Sequence, residues 1–150
     1  MKAHGMAGHL IRRLNQMSTQ VFSQHMQNAG IDLTPVQFAA MDAIITHPGI
    51  DQAGVAALIA YDRATIGGVI DRLEHKGFVL REVSKRDRRA REVRVTEQGA
   101  EAFEQILPIV RALQDEVLNG LDETERETFL RLARKAVGNE VDVEPPSRTE

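Results

Sequence analysis

A mainly helical fold carrying one small β-ribbon is what this sequence predicts, on three observations. Apolar residues recur at three- and four-residue spacing in six stretches, the signature of helices with one buried face. Only two short runs, Phe78-Val79-Leu80 and Val93-Arg94-Val95, are β-prone, and they flank a loop dense in arginine. Two of the helical stretches are separated by only Ala60 and Tyr61, with Asp62 placed to cap the second, which is helix-turn-helix spacing.

Each element has its own signals. Residues 1–8 hold two glycines and are expected to be loose. From His9, the stripe Leu10, Leu14, Met17 and Val21, widened by Ile11, Phe22 and Met26, predicts a first helix that Asn28-Ala29-Gly30 stops. So broad an apolar face near a terminus needs a large packing partner. Thr34-Pro35-Val36-Gln37 reads as a capping box with proline in the first turn. The second helix then runs through Phe38, Met41, Ile44 and Ile45 to His47-Pro48-Gly49.

Asp51 or Gln52 opens a short third helix over Val55, Ala56, Leu58 and Ile59. The fourth extends from Arg63 to about Lys76, buries Ile66, Val69, Ile70 and Leu73, and ends with Gly77 at C′. Gly67-Gly68 inside it disfavours helix by roughly 1 kcal/mol per glycine relative to alanine. Close packing against another helix and close approach to a DNA backbone both account for that pair. After the ribbon, Thr96 caps a long helix through Phe103, Ile106, Leu107, Val110, Leu113, Val117 and Leu118, which Pro108 is expected to kink. Asp122-Glu123-Thr124-Glu125 starts a last helix over Phe129, Leu130, Ala133 and Val137, and residues 139–150 read as a disordered tail.

At 150 residues, 42% hydrophobic and 27% charged, the chain suits one globular domain. No apolar run approaches the ~18 residues of a membrane span and no secretory signal opens the chain, so a cytoplasmic protein is expected. Cysteine is absent, which excludes disulfides, thiol nucleophiles and thiolate metal sites. The five histidines show no tight ligand spacing, so neither a metal nor a cofactor is implied. G-x-S-x-G, a phosphate-binding glycine loop and clustered acid/base residues are missing, and no enzymatic activity is expected.

Net charge is −3, but it is unevenly spread. Residues 1–60 balance, residues 97–150 are strongly acidic, and the segment from Asp62 to Thr96 carries ten cations against six acids. A basic segment in an acidic chain implies one surface facing a polyanion, and a slim helix plus loop fits grooved DNA. Arg63, Ala64 and Thr65 occupy the first turn of the fourth helix, where arginine can read guanine and alanine or a threonine methyl can meet thymine. Arg72, further along, touches phosphate or braces the ribbon. In the loop, Lys85, Arg86, Arg88, Arg89 and Arg91 suit the strong negative potential of a narrow minor groove. Asp87 among them is expected to form an ion pair that orients one arginine.

The run GVIDRLEHKGFVLREVSKRDRRAREVRVTEQG, with its Asp87-Arg88-Arg89, resembles the winged helix-turn-helix of the MarR family of transcription regulators. The resemblance covers nearly the whole chain. It implies a six-helix, winged helix-turn-helix protein that forms an obligate homodimer through its terminal helices. Residues 1–30 would form an N-terminal dimerisation helix, 31–97 the DNA-binding domain and 98–138 the C-terminal dimerisation helices. It also implies a double-stranded operator as partner, repression by promoter occupancy, and Gly68 and the charged positions above at the DNA.

Family pockets are lined by the first, second and fifth helices. His9 and Arg13, four apart on one helical face, suit an organic anion; Arg12 is the alternative cation, and Phe38, Met41 and Asp42 would complete the pocket. A solvent-facing or dimer-contact role for His9 and Arg13 stands beside that reading. The segments AGHLIRRLNQ, DLTPVQFAAMDAI and AYDRATIGGVIDRLE are similar to a branch regulating aromatic and N-heteroaromatic acid catabolism, including nicotinate degradation. The missing cysteine departs from the family's peroxide sensors. A DNA-architectural protein without ligand response is the competing class.

Overall fold

The computed structural model describes residues 2–59 and 61–138. Its elements, in order, are α1 (Ala7–Asn28), α2 (Pro35–Thr46), α3 (Gln52–Leu58), α4 (Arg63–His75), β1 (Val79–Val83), β2 (Arg91–Val95), α5 (Glu97–Val117) and α6 (Glu123–Ala136). The fold is mainly helical with one antiparallel two-stranded sheet, Val79 facing Val95 and Val83 facing Arg91. A first compact unit runs through Val117 and a second begins at Leu118. Ala60 and the expected tail, residues 139–150, lie outside the described residues.

Helix starts are fixed by side chains that satisfy otherwise unpaired backbone N–H groups. Thr34 Oγ1 accepts from the Gln37 amide at 3.2 Å while Gln37 Oε1 accepts from the Thr34 amide at 3.2 Å, the reciprocal capping box. Asp51 caps α3 through the Gly54 amide at 2.7 Å, and Asp62 caps α4 through the Thr65 amide at 2.7 Å. Asp122 and Glu125 form a second capping box on α6. At the far end of α4, Gly77 adopts φ +78°, and the amides of Gly77 and Phe78 return to the carbonyls of Glu74 and Leu73. That left-handed closure turns the chain directly into β1, and an L side chain there would be strained.

The core of the first unit joins Phe22 and Met26 of α1, Met41 and Ile44 of α2, Val55 of α3 and Ile66, Ile70 and Leu73 of α4. Val79, Val93, Phe103, Ile106 and Leu113 complete it. Phe38 stacks on Phe103 with ring centroids 5.1 Å apart.

Three details differ from expectation. The first helix starts at Ala7, two residues early, and takes in Gly8 despite the cost of glycine in a helix. Leu58 is 53% exposed, since it falls roughly a third of a turn off the stripe that Val55, Ala56 and Ile59 define. The ribbon gains a third short pairing: Val93 donates to the Ile50 carbonyl at 2.9 Å and Asp51 bridges Glu92, so the entry to α3 is tied to β2. Pro108 falls inside α5, as the sequence places it.

The apolar stripe of α1 divides along its length. Phe22 and Met26 are buried, whereas Leu10, Ile11 and Met17 remain 49%, 65% and 39% exposed. Helix α6 buries none of its residues, and Leu130, Leu132 and Val137 are exposed. No single helix among the described residues is long and apolar enough to cross a membrane.

Candidate nucleic-acid interface

The first turn of α4 presents Arg63, Ala64 and Thr65, all exposed. Asp62 holds this turn twice, through the Thr65 amide and by accepting from the Thr65 hydroxyl at 2.9 Å. Those two hydrogen bonds, the backbone one first, hold the Asp62 carboxyl below its ordinary range. With its hydroxyl proton directed to Asp62, Thr65 has chiefly its methyl group left for an outside contact.

Space around Gly67 and Gly68 bears on the glycine pair. A Cβ on Gly67 would meet the Gln52 amide nitrogen at 3.4 Å, and one on Gly68 would meet the Arg72 guanidinium at 3.8 Å. Both are ordinary contacts with the ends of flexible side chains, so packing inside this chain does not require glycine at either position. The reading that rests on close approach of another helix within the chain finds no support there.

The wing loop is a built turn. Ser84 Oγ accepts from the amides of Arg86 and Asp87 at 3.2 and 3.3 Å and donates to Glu92 at 3.2 Å. The Ser84 amide reaches the Ala90 carbonyl and the Ala90 amide reaches the Asp87 carbonyl, each at 3.0 Å. Asp87 accepts from the backbone amide of Arg89 at 3.0 Å. The expected ion pair is corrected by this geometry: Asp87 turns inward to a local backbone donor, the usual economy of an Asx turn. No guanidinium among the described residues lies within ion-pair distance of it, and Arg86, Arg88 and Arg89 stay exposed.

Arg63 and the wing face each other across a cleft of about 400 Å³, lined by Asp51, Gln52, Arg63, Asp87, Arg89 and Arg91 among others. Thus the structure brings the helix start and the wing arginines to one surface. Arg72 is exposed on α4 and does not brace the ribbon. The brace is Arg81, which sequence reasoning passed over: its guanidinium contacts Asp71 at 2.5 Å and Glu74 at 3.1 Å. Its own charge gave no signal of this role, because its partners lie seven and ten residues away on another element.

The six residues assigned to an effector have different surroundings in the single chain. His9 stacks on His4 with centroids 4.8 Å apart, Arg12, Arg13 and Asp42 are exposed, Met41 is fully enclosed, and Phe38 lies against Phe103. None of the described clefts is lined by any of them.

A family model described as MarR family matches residues 33–90. The transcriptional regulator HosA of Escherichia coli is 33% identical over 135 residues, covering 90% of this chain and 97% of HosA. The transcriptional repressor NicR of Pseudomonas putida is 32% identical over 133 residues, covering 89% of this chain and 83% of NicR. Among solved structures, BpsR of Bordetella bronchiseptica, whose DNA binding is regulated by 6-hydroxynicotinic acid, aligns with a TM-score of 0.81 at 28% identity. That alignment covers 93% of this chain and 96% of BpsR. With the capped helix α4 and an arginine-bearing wing on one surface, the chain belongs to the MarR family of DNA-binding transcriptional regulators.

Proposed function

We propose that the protein is a repressor that binds a pseudo-palindromic operator as a homodimer and leaves it when a small aromatic or N-heteroaromatic acid binds. The observation that carries the DNA half is the cleft where Arg63 meets Arg89 and Arg91, cations with no acidic side chain bound to them among the described residues. Arg63, Ala64 and Thr65 would read base edges in a major groove, with Gly68 letting the backbone come close. Arg72, Lys85, Arg86, Arg88 and Arg91 would neutralise phosphate, and Arg89 would lead the wing into the flanking minor groove.

Dimerisation is supported by the exposed apolar residues of α1, and by those of α6 taken on their own. Two reading helices related by a twofold axis would then enter successive major grooves about one helical turn apart. The effector half is supported by NicR, a repressor, and by the response of BpsR to 6-hydroxynicotinic acid. Arg13 with His9, or Arg12, would hold the carboxylate, Phe38 would stack on the ring, and Asp42 would meet a ring nitrogen or hydroxyl. Met41, being enclosed, would shape the pocket from behind its lining. The acid acts only by binding the DNA-incompetent arrangement more tightly than the competent one. The protein would work in the cytoplasm, on the nucleoid.

The test is a duplex selected from a random pool by the purified protein, followed by gel shift with nicotinate, 6-hydroxynicotinate, benzoate and hydroxybenzoates. Release by one of these, lost in Arg13→Ala, is the expected result. Tight selected binding that no acid weakens would favour an architectural protein, and no selection at all would remove the DNA reading.

A further inference from the structure

The wing is a short ribbon, and its aim relative to α4 decides whether helix and loop can reach two grooves at once. On the β2 side it is tied by backbone hydrogen bonding at Ile50. On the β1 side the tie is Arg81. Val79 and Arg81 share a face of β1; Val79 is fully buried and Arg81 sits one step outward, its side chain 16% exposed. Asp71 and Glu74, three apart on α4, present their carboxylates on one face.

The guanidinium links its own strand to two helices, α4 and α3. Nε and Nη2 both reach Glu74, at 3.4 and 3.1 Å, and Nη2 also reaches Asp71 at 2.5 Å. Nη1 reaches Gln52 Oε1 at 3.5 Å, and Gln52 opens α3 and lines the cleft beside Arg63 and Arg89. A planar fork with several fixed donors can be satisfied in few relative placements of strand and helix, whereas an ammonium could follow many. The Glu74 carboxyl is held below its ordinary range chiefly by the hydrogen bond from Arg81, in keeping with a standing ion pair.

We infer that Arg81 is a positioning residue for DNA reading: it touches no DNA itself and fixes the angle of the wing to the recognition helix, so that both reach their grooves together. This rests on the two-groove reading proposed above. The first test needs no DNA. In this cysteine-free chain, spin labels on His75→Cys and Lys85→Cys, diluted with unlabelled protein, report the distance from α4 to the wing. Arg81→Gln broadens that distance distribution, Arg81→Lys does so in part, and Asp71→Asn, a milder change on an exposed side chain, follows in smaller degree.

The second test uses a selected duplex with and without the base pairs flanking its half-sites. Arg81→Gln weakens binding to the full duplex by roughly fivefold to tenfold. It has little effect on the trimmed duplex, and none beyond that of Arg89→Ala in the double variant. An unchanged distance distribution, or equal loss on both duplexes and in the Arg89→Ala background, would overturn the inference. Wild-type protein indifferent to the flanks would instead overturn the two-groove reading, leaving the label distances to judge the brace alone.

Discussion

The root and the tip of the wing treat their cations in opposite ways. At the root and its support, Arg81 is held by Asp71 and Glu74, Arg94 by Glu82 at 2.7 Å, and Lys76 by the Asp32 carbonyl and Gln37 Oε1. At the tip, Lys85, Arg86, Arg88, Arg89 and Arg91 have no acidic partner among the described residues, and the carboxylate in their midst binds a backbone amide. The same is true of Arg63 and Arg72 on α4. Charge density alone therefore does not define a nucleic-acid surface. The mark of the proposed DNA surface is which cations are left without a counter-charge among the described residues.

The severest way to break the root is Gly99→Ala. A Cβ there would lie 2.1 Å from the Phe78 carbonyl oxygen and 2.8 Å from Val95, and backbone cannot yield as a side chain would. A loss of about 3 kcal/mol in chemical denaturation is expected. A change below about 1 kcal/mol would mean that the strand and α5 part easily.

Among the uncommitted cations, Arg63→Ala should relax base preference at one operator position by roughly 1–3 kcal/mol. Equal loss on random duplex would make it a phosphate contact. Arg89→Ala and Arg94→Ala form a matched pair across the divide. The first should lower the slope of log affinity against log salt by about one, because one released counterion is lost. The second removes an exposed ion pair, so it should leave that slope alone and change stability by no more than about 0.5 kcal/mol. Equal slopes in the two variants would erase the distinction between root and tip.

Gly68→Ala sharpens the comparison on α4. With only the Arg72 guanidinium in ordinary contact with a Cβ there, alanine should raise stability by roughly 0.5–1 kcal/mol. If DNA comes close at that point, operator affinity should nevertheless fall; unchanged affinity would leave the glycine without a role at the DNA. The smallest effect expected is on acidification. Because the Asp62 carboxyl sits below its ordinary range when folded, its contribution is complete at neutral pH and disappears as pH falls through and below the usual carboxylate range. A lower protection factor for the Thr65 amide in acid, relative to its intrinsic exchange rate and absent from Asp62→Asn, is the measurement.

Helix starts were legible in the sequence because their signals are local: Thr34 with Gln37, Asp51, Asp62, Thr96 and Asp122 with Glu125 each act within three residues. The Gly77 closure was legible for the same reason. The wing residues were found by composition, but their division into root and tip was not. Arg81 and Arg86 are alike as letters, and only the distance from α4 tells them apart. Asp87 was misjudged because an aspartate among arginines suggests charge pairing, while a backbone donor two residues away costs less chain entropy to reach. Gly99 carried no warning, since its constraint comes from a carbonyl on another element. Met41 and Asp42 are adjacent in sequence yet one is enclosed and the other exposed, which a helical stripe permits and a list of pocket residues hides.

Thr96 joins more than a strand to a helix. Its hydroxyl donates to the Gly77 carbonyl at 2.6 Å and accepts from the Gly99 amide at 3.0 Å, while its own amide holds the Phe78 carbonyl at 2.9 Å. The end of α4, the start of β1 and the first turn of α5 are thus clamped at a single joint. A residue at 96 without a hydroxyl would therefore release the end of α4 and the first turn of α5 together, leaving only the backbone tie to Phe78.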